Sequence, residues 1–592
     1  MILGVDTGGT FTDAVADDGR IAKVLTSRDD LGRSVRSAVL ELAPDGRPNV
    51  LAHGTTAATN ALLERRGATV ALVVNLGFAD VIEIARQDRP SLYDPFADRP
   101  VPLVSRELRY EVAGRLAADG TELEPLGEVP EIDPAVEAVA VCLLHADLNP
   151  THEQAVLSAL RDKGLDATAS HEVSPEFREY ERTLTTVVNA YLRPICRTYL
   201  TRLDDIADEV LIMTSAGGLV PLAEGADLPA ALLLSGPAGG VRAGAEVARA
   251  NGFADAVTFD MGGTSTDVCL IQGGAPEPAP GRVVGRFPIR LPSLDVHTIG
   301  AGGGSIASID PGGALVVGPE SAGADPGPAC YGRGGNRPTV TDANLVAGRI
   351  PGDAEFPELG RLDVDAARRA LDTAGVTAEG VLQVVNANME RALRAVSVER
   401  GVDPRGLALV AFGGAGPLHA CALAEALGMP AVVVPARAGV LSAVGLACSP
   451  RQRELVRSWA AMDDQSGLEK ALAELADEAR ALVGEGAAVT TFVDCRYSGQ
   501  SHELTVAEVA DFHEEHRRRN GYARTEAPIE VVALRGRARL DAPLQMADLP
   551  PVERAAAAGP AVIGEPDCTI VVADRWVAEP GEAGALVMRR RE

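Results

Sequence analysis

Short apolar runs alternate with amphipathic stretches along the N-terminal part of the chain. Buried strands are predicted at Ala68–Val74, Ala138–Leu144 and Glu209–Met213, because each is a brief and nearly continuous apolar run. Helices are predicted at Thr151–Lys163 and Glu181–Leu203, where apolar residues recur at helical spacing. Strands that alternate with helices predict an α/β fold.

One eight-residue motif occurs twice. Asp6–Asp13 reads DTGGTFTD and Asp260–Asp267 reads DMGGTSTD, so both copies fit the pattern D-x-G-G-T-x-T-D. Each copy lies between two short apolar runs, which predicts two strands joined by a tight glycine turn. An internal repeat of this kind predicts two lobes of common design.

A third glycine turn, Gly413–Gly416, follows the predicted strand Leu407–Phe412 and precedes a predicted helix, Leu418–Leu427. A turn between a strand and a helix N-terminus can present backbone N–H groups to a ligand. Taken alone, the same glycines could equally allow close packing of the helix on the strand. Because two other glycine turns lie upstream, contact with an adenosine group is the favoured interpretation.

The later part of the chain changes in pattern. Apolar residues at helical spacing predict one long helix over Ala366–Arg400. A charged amphipathic helix is predicted at Leu468–Val483, and alternating strands at Val493–Val506 and Ile529–Leu540. We therefore predict three domains, namely 1–180 with the first repeat, 181–450 with the second repeat and the third turn, and 451–592 as a C-terminal α+β module.

The net charge of −28 limits the partners that are expected. So acidic a chain disfavours binding to nucleic acid and to anionic membranes. An anionic ligand would have to be held by local backbone N–H groups and a metal ion. The N-terminus, MILGVDTGGT, lacks the features of a secretory signal, and no apolar stretch is long enough to cross a bilayer. A cytoplasmic protein is expected.

The eight cysteines do not indicate a metal site. No two of them have CxxC spacing, so neither a zinc site nor a redox pair is predicted. Reduced and buried thiols are the simpler interpretation.

The two repeats have the composition of phosphate-binding turns. Glycine lets the backbone approach a ligand, and successive N–H groups can surround an anion. An aspartate at the strand end can hold Mg²⁺ (or Mn²⁺) that bridges phosphates. One such turn is usually an ordinary hairpin, but two favour phosphate binding. We predict that Asp6 and Asp260 hold the metal ion and act in catalysis. The predicted nucleotide ligands are Thr7, Gly8, Gly9, Thr10, Gly262, Gly263, Thr264, Ser265, Gly413, Gly414 and Gly416.

Other polar residues are candidates for the site, because they open or flank predicted turns. His53 and His297 are candidate catalytic residues, although a hydrogen-bonded structural histidine is an alternative for each. Arg242 is a candidate phosphate partner. Asp13 and Asp267 either orient a loop threonine or cap the turn.

The three glycine turns, in this order, resemble the phosphate-1, phosphate-2 and adenosine motifs of the actin, Hsp70 and sugar-kinase superfamily. Longer motifs resemble the hydantoinase A / 5-oxoprolinase family, which includes the nucleotide-binding subunit of acetone carboxylase. They extend over nearly the whole chain and read HGTTAATNALLERRG (His53–Gly67), FDMGGTSTDV (Phe259–Val268), TIGAGGGSIA (Thr298–Ala307), ADPGPACYG (Ala324–Gly332), PTVTDAN (Pro338–Asn344), AFGGAGPLHA (Ala411–Ala420) and RYSGQSHELTV (Arg496–Val506).

This resemblance implies a two-lobed actin-like (ribonuclease H-like) ATPase fold with a C-terminal β-rich module. It also implies an ATP-dependent enzyme that phosphorylates the carbonyl oxygen of a cyclic amide so that the ring can be opened. A separate B-type subunit normally completes that reaction, so a partner chain and an oligomeric assembly are expected. The chain looks shorter than typical A subunits around Pro450–Ala488, which leaves the C-terminal subunit contacts open.

Several alternatives stay open at the level of the sequence. The nearest is the ATP-binding subunit of an acetone carboxylase-like ketone carboxylase, whose turnover would depend on bicarbonate. A small-molecule kinase would release a stable phosphorylated product. A regulatory homologue would bind ATP without turnover, and an Hsp70-like binding module would need a peptide-binding domain joined by a linker. The sequence does not identify the substrate.

Overall fold

The structure is a computed structural model that describes residues 1–27, 30–88, 90–94, 96–356 and 359–591. Helices and strands alternate through most of it, as the hydrophobic pattern predicts. No helix among these residues is both long enough and apolar enough to cross a bilayer.

The described residues of the first part of the chain, up to Asp227, form twelve strands and seven α-helices. The strands are β1 (Ile2–Thr7), β2 (Phe11–Ala16), β3 (Ile21–Leu25), β4 (Val50–Thr55), β5 (Val70–Asn75), β6 (Arg109–Val112), β7 (Arg115–Leu116), β8 (Glu122–Glu124), β9 (Ala138–Cys142), β10 (Ala167–Ala169), β11 (Glu209–Met213) and β12 (Leu219–Pro221). The helices are α1 (Leu31–Leu42), α2 (Ala57–Leu63), α3 (Val81–Ile84), α4 (Thr151–Asp162), α5 (Ser170–Val173), α6 (Glu179–Thr201) and α7 (Leu222–Asp227).

The middle part of the chain supplies most of a second α/β lobe, while its segment 282–291 packs into the core of the first lobe. Its strands are β13 (Ala256–Met261), β14 (Thr266–Gln272), β15 (Ala275–Pro276), β16 (Pro278–Ala279), β17 (Arg282–Val284), β18 (Phe287–Ile289), β19 (Ser293–Leu294), β20 (Val296–Ile299), β21 (Ser305–Ile309), β22 (Leu315–Ser321), β23 (Glu355–Phe356), β24 (Gly360–Arg361), β25 (Ala408–Phe412) and β26 (Val432–Val434). Its helices are α8 (Gly236–Ala250), α9 (Val340–Val346), α10 (Val364–Ala374), α11 (Ala378–Val396), α12 (Gly416–Leu427) and α13 (Leu441–Ala447).

The last part of the chain is rich in strands. These are β27 (Arg451–Ser458), β28 (Ala488–Tyr497), β29 (Leu504–Val506), β30 (Ile529–Leu540), β31 (Ala557–Ala558), β32 (Ala561–Gly564), β33 (Thr569–Val572), β34 (Trp576–Pro580) and β35 (Leu586–Arg590). Two helices accompany them, α14 (Leu468–Val483) and α15 (Phe512–Asn520). The helix predicted at Leu468–Val483 is confirmed residue for residue.

Two large sheets organise the molecule. The first has ten strands in the order β29-β28-β30-β27-β12-β11-β4-β1-β2-β3. The second has nine strands, eight of them in the order β15-β14-β13-β25-β26-β35-β34-β31, with β20 paired to β14. A smaller sheet, β10-β9-β5-β6, is parallel throughout and belongs to the first lobe.

The internal repeat corresponds to the same arrangement in both large sheets. Strand β1 pairs antiparallel with β2 and parallel with β4, while β13 pairs antiparallel with β14 and parallel with β25. Both central strands have mostly buried side chains. The structure therefore shows the two lobes of common design that the repeated motif predicts.

The tail is divided between the two large sheets. Strands β27 to β30 extend the first sheet, and β31, β34 and β35 extend the second. The sequence predicted a separate module at 451–592, but the strands of this segment pair with both large sheets instead. Arg535 on β30 is buried and links this strand to its two neighbours β27 and β28. Its guanidinium pairs with Asp494 at 2.8 Å and with Glu454 at 3.3 Å.

The long helix predicted at Ala366–Arg400 is wrong as a single element. The structure has two helices there, α10 and α11. Gly375 ends α10 in the left-handed conformation, with φ 66°, and the Thr377 side chain then caps α11 by accepting from the backbone N–H of Gly380. Capping residues inside a continuous apolar pattern therefore decided the break.

Candidate functional site

Each repeated motif forms a tight hairpin at one end of its sheet. In the first hairpin Asp6 lies directly opposite Asp13, and in the second Asp260 lies directly opposite Asp267. The glycines and threonines lie in the turn between the strands. The equal spacing within the two motifs thus places two carboxylates at the base of each turn.

The two turns meet. The hydroxyl oxygens of Thr10 and Thr264 are 3.4 Å apart, although they are separated by 254 residues in the chain. A side chain at Gly263 would overlap Thr10, so the close approach requires glycine at that position. The two predicted phosphate turns therefore line one cleft and meet through the side chains of Thr10 and Thr264.

The cleft has a volume of about 270 Å³ and two chemically different ends. One end is polar and is formed by the two turns, their four aspartates and Lys23. The other end is apolar, and its lining includes Leu418 and also Ala415 of the third glycine turn. All eight predicted phosphate ligands of the two turns line the cleft, namely Thr7, Gly8, Gly9, Thr10, Gly262, Gly263, Thr264 and Ser265.

The crowded carboxylates resist ionisation. Burial raises the pKa of Asp6 well above its usual value, and the neighbouring Asp13 and Asp260 raise it further. Burial together with Asp267 raises the pKa of Asp260 to about 7, against a hydrogen bond from Ser442 that lowers it. Burial raises the pKa of Asp267 to about 6. So many acidic groups in one buried cleft favour the binding of positive charge.

Lys23 supplies one positive charge to this end of the cleft. Its ammonium group donates to Asp13 at 2.6 Å and to the carbonyl oxygen of Gly439 at 3.3 Å. It also lies 5.2 Å from the ring centroid of Phe11. Among the described residues that line the cleft, Lys23 is the one lysine or arginine. The aspartates therefore outnumber the available cations.

The donor set fits a divalent cation of the Mg²⁺ type. Asp6 Oδ1 is buried and has no hydrogen-bond partner among the described residues. A side chain at position 54 would come within 2.9 Å of the same oxygen, so Gly54 leaves that space free. Carboxylate and hydroxyl oxygens are the ligands that Mg²⁺ prefers. Asp6 and Asp260 are suitable residues to hold such an ion.

Helix N-termini add further positive potential. Gly236 and Pro237, at the start of α8, line the cleft, and so do Leu441 and Ser442, at the start of α13. Ser442 donates to Asp260 at 3.2 Å. None of these residues was among the predicted nucleotide ligands.

The third glycine turn has a divided role. Gly413 and Gly414 line the cleft, and Gly413 adopts φ 78° beside Asp260. Gly416 is not among the residues that line the cleft in the described part of the chain. It begins α12, where an added Cβ would lie 3.3 Å from the carbonyl oxygen of Phe259. Its position corresponds to the packing alternative rather than to ligand contact.

His53 is placed in the core of the first lobe. It is fully buried on β4, and its Nδ1–H donates to the carbonyl oxygen of Val5 at 2.9 Å. Its Nε2 accepts from the hydroxyl of Tyr199 at 2.7 Å. Burial lowers the pKa of His53 to about 4. Both ring nitrogens are occupied and the residue does not line the cleft as described, so the contacts match the structural alternative.

His297 and Arg242 also lie outside the described lining of the cleft. On β20 the hydroxyl of Thr298 donates to Asp267, so the adjacent His297 side chain points to the other face of the strand. Arg242 on α8 is largely buried, and burial near Arg539 lowers its pKa to about 10. Neither is positioned to contact a ligand between the two turns.

Asp13 and Asp267 have partners that the sequence did not reveal. Asp13 pairs with Lys23, and Asp267 accepts from Thr298. Neither contact belongs to the two alternatives predicted for these residues, because both partners lie on neighbouring strands rather than within the turn. The cross-strand register, Asp13 opposite Lys23, is the signal that would have identified Lys23.

The tail contributes one wall of the cleft. Asp567, Cys568 and Thr569 line it, and Asp567 accepts from the backbone N–H of Gly439 at 2.6 Å. The carbonyl oxygen of the same Gly439 accepts from Lys23. The first lobe, the second lobe and the tail are therefore joined around the cleft through one glycine.

Two family models match the chain. The hydantoinase/oxoprolinase N-terminal region matches residues 2–164, and hydantoinase/oxoprolinase matches residues 182–454. The two matches contain both repeats and the third glycine turn.

Named relatives extend this similarity. The chain is 35% identical to the caprolactamase subunit alpha of Pseudomonas jessenii, over 90% of this chain and 86% of that one. It is 34% identical to 5-oxoprolinase 1 of Arabidopsis thaliana, over 75% of this chain but 41% of that one.

Solved structures share the fold. The crystal structure of the ATP-dependent caprolactamase from Pseudomonas jessenii matches with a TM-score of 0.85 and 30% identity over all of both chains. A nucleotide-free acetone carboxylase structure matches with a TM-score of 0.77 at 23% identity, covering 100% of this chain and 99% of that one, which shows a likeness of fold. The predicted two-lobed actin-like ATPase fold is thereby confirmed. Together with the matching family models and relatives, these findings show that the chain belongs to the hydantoinase/oxoprolinase family.

Proposed function

We propose that the chain binds ATP in the cleft and phosphorylates the carbonyl oxygen of a cyclic amide, as the nucleotide-binding subunit of a ring-opening hydrolase. The contact between Thr10 and Thr264 carries this proposal, because it brings two glycine turns of equal design to one cleft. The similarity to an ATP-dependent caprolactamase supports a cyclic amide as the substrate class.

The chain's own residues suit phosphoryl transfer. Backbone N–H groups of the two turns and the N-terminus of α8 would hold the phosphates. Lys23 would offset part of the charge on the group being transferred. When bound, Mg²⁺ would neutralise phosphate charge, held by Asp6 and Asp260 directly or through water. The two lobes would exclude water from the cleft and align the reacting atoms.

The proposed reaction has two stages. First, the amide oxygen attacks the γ-phosphorus, and the bond from that phosphorus to the β–γ bridging oxygen breaks, so that ADP leaves with the electron pair. The phosphorylated amide then has an electrophilic carbon and a good leaving group. Water adds to this carbon, and the ring C–N bond breaks as the nitrogen takes up a proton, which leaves an acyl phosphate. A second water then displaces phosphate from the acyl carbon to give the ring-opened amino acid. We assign the second stage to a B-type partner subunit.

A partner chain is supported by the relatives. The Pseudomonas jessenii relative is named as subunit alpha, and this chain matches 41% of the longer Arabidopsis thaliana 5-oxoprolinase 1. The longer relative therefore carries further sequence on the same polypeptide. We propose that an equivalent region is supplied to this chain by a second subunit.

The test measures ADP release and product mass on the complex isolated through a tag on this chain. A panel of caprolactam, hydantoin and 5-oxoproline should contain a compound that stimulates ADP release and is converted to the ring-opened amino acid without bicarbonate. Asp6→Asn and Asp260→Asn should each lower turnover by about 10² to 10³-fold, whereas the exposed Asp45→Asn should not.

Two outcomes would contradict this function. Product that appears only with bicarbonate, from a ketone rather than a cyclic amide, would identify a carboxylase. Unchanged turnover in both aspartate variants would show that the cleft is not the catalytic site.

A further inference from the structure

The apolar end of the cleft is shaped by one packed cluster. Ile350, Leu362 and Leu418 are each no more than 6% exposed and belong to the same hydrophobic cluster. Tyr331 and Leu359 pack against it while also lining the cleft. Ala415, next to Gly414, packs against the same cluster and also lines the cleft. An apolar slot of this kind suits a flat ring rather than a phosphate group.

One polar side chain lies among these residues. Asn344 on α9 lines the cleft and is 1% exposed. Its Nδ2 donates to the carbonyl oxygen of Val340 at 3.1 Å and lies 3.2 Å from Nε2 of His419. Its Oδ1 has no hydrogen-bond partner among the described residues. Native structures rarely leave such an acceptor unpaired, so the oxygen calls for a partner.

A chain of hydrogen bonds fixes the orientation of this amide. The carbonyl oxygen of Val340 can only accept, so the atom facing it must be the Asn344 nitrogen. That nitrogen also donates to His419 Nε2, and His419 Nδ1–H therefore donates to Asn386 Oδ1 at 2.8 Å. Burial lowers the pKa of His419 to about 3, which keeps the ring neutral and its Nε2 an acceptor. The oxygen of Asn344 is thus held away from these partners.

We propose that the apolar end binds a purine base and that Asn344 Oδ1 accepts a hydrogen bond from its 6-amino group, so that the site selects adenine nucleotides. This inference rests on the proposed function, since it assumes that a nucleotide occupies the cleft. A 6-oxo purine would place a carbonyl oxygen against the oxygen of Asn344, and two acceptors repel each other.

The test measures nucleotide affinity of the full chain by titration calorimetry, without using turnover. ATP, inosine triphosphate and purine riboside triphosphate differ at position 6 of the base, which carries an amino group, an oxo group or hydrogen. We expect purine riboside triphosphate to bind about 3- to 10-fold more weakly than ATP. Inosine triphosphate should bind at least about 10²-fold more weakly than ATP.

Substitution should abolish the discrimination. Asn344→Ala should lower ATP affinity by about tenfold and bring the ATP-to-inosine triphosphate ratio within about threefold of one. Asn388→Ala is the matched control, because Asn388 donates to Val317 from α11 and does not line the cleft as described. The ATP-to-inosine triphosphate affinity ratio of Asn388→Ala should equal that of the wild type. A variant that only loses stability would leave this ratio unchanged, so the ratio reports on base recognition.

The possible failures are distinguishable. If no triphosphate binds the wild-type chain, the proposed function is wrong. If ATP and the other two triphosphates bind the wild type equally, the nucleotide site stands and the role of Asn344 is wrong. This comparison needs no variant, so it decides the question even if Asn344→Ala does not fold. An unchanged ratio in folded Asn344→Ala would equally overturn the inference.

Discussion

At the scale of single residues, Lys23 shows how a local ion pair can serve a larger site. Its ammonium lies 2.6 Å from Asp13, and its side chain is only 14% exposed. Because it is the one described lysine or arginine on the cleft, its charge has no local substitute.

We expect Lys23→Met to lower ATP turnover by about 10²-fold, because a similar side-chain volume then lacks the charge that offsets the transferring phosphoryl group. Lys23→Arg should retain a measurable part of that turnover. Steady-state kinetics would separate kcat from KM, with the exposed Lys163→Met as control. Turnover within threefold of wild type in Lys23→Met would remove Lys23 from the site.

His419 gives a prediction on pH and stability. Its pKa is lowered to about 3 by burial, while an unfolded chain has an ordinary histidine near 6.5. Between these values the unfolded chain binds a proton that the folded chain does not, so acid favours unfolding. Between pH 6.5 and about 3, this group should lower the free energy of unfolding by about 1.4 kcal/mol for each unit that the pH falls.

Urea unfolding at pH 7.5 and 5.5 would check this expectation. The wild type should lose about 1.4 kcal/mol more than His419→Gln over that interval. The exposed His502→Gln should behave like the wild type. A drop of equal size in the wild type and in His419→Gln would show that His419 is not the group responsible.

At the scale of elements, the turn after β25 depends on one backbone conformation. Gly413 has φ 78°, and a side chain there would overlap Asp260. Gly414 is next to it, and an added Cβ would meet no atom within 4 Å. The two adjacent glycines are therefore a natural pair for a test.

Gly413→Ala should lower the unfolding free energy by about 1–3 kcal/mol, because alanine is strained in the left-handed region and the turn would be pushed off Asp260. Gly414→Ala should change it by less than about 0.5 kcal/mol. Chemical denaturation of the two variants side by side is the measurement. Equal stability of the two variants would contradict the turn geometry.

Sequence patterns predicted the strands and turns of the cleft well, but not which side chains from other elements reach it. The repeat predicted both hairpins, because glycine spacing and flanking apolar runs are local properties. Lys23 and Asp567 were missed, because cross-strand register and the path of the tail bring them to the cleft. His53 was misleading, because alternation along β4 directs its ring to Tyr199, and no local pattern shows which strand face meets the cleft.

At the scale of the whole molecule, the cleft lies between two lobes that touch through their glycine turns. A nucleotide that contacts both turns would tie the lobes together. Ligand binding to the folded state adds stability by mass action, about 2.7 kcal/mol at a concentration one hundred times the Kd.

We expect ATP with Mg²⁺ to raise the thermal unfolding midpoint, and EDTA to remove most of that increase. The physical reason is that ATP brings further negative charge to a cleft whose aspartates already outnumber its cations. Differential scanning fluorimetry with ATP, with and without Mg²⁺ and EDTA, is sufficient. An equal shift with EDTA present would show that Asp6 and Asp260 do not act through a metal ion.

The cleft is assembled from residues as far apart in the chain as Asp6 and Thr569. Neither family-model segment, 2–164 or 182–454, contains all of its walls. Contacts of such long sequence separation close late, so folding should be slow. Nucleotide affinity should therefore depend on nearly the whole chain being intact. Proteolytic cleavage at a site far from the two phosphate turns should lower it as well.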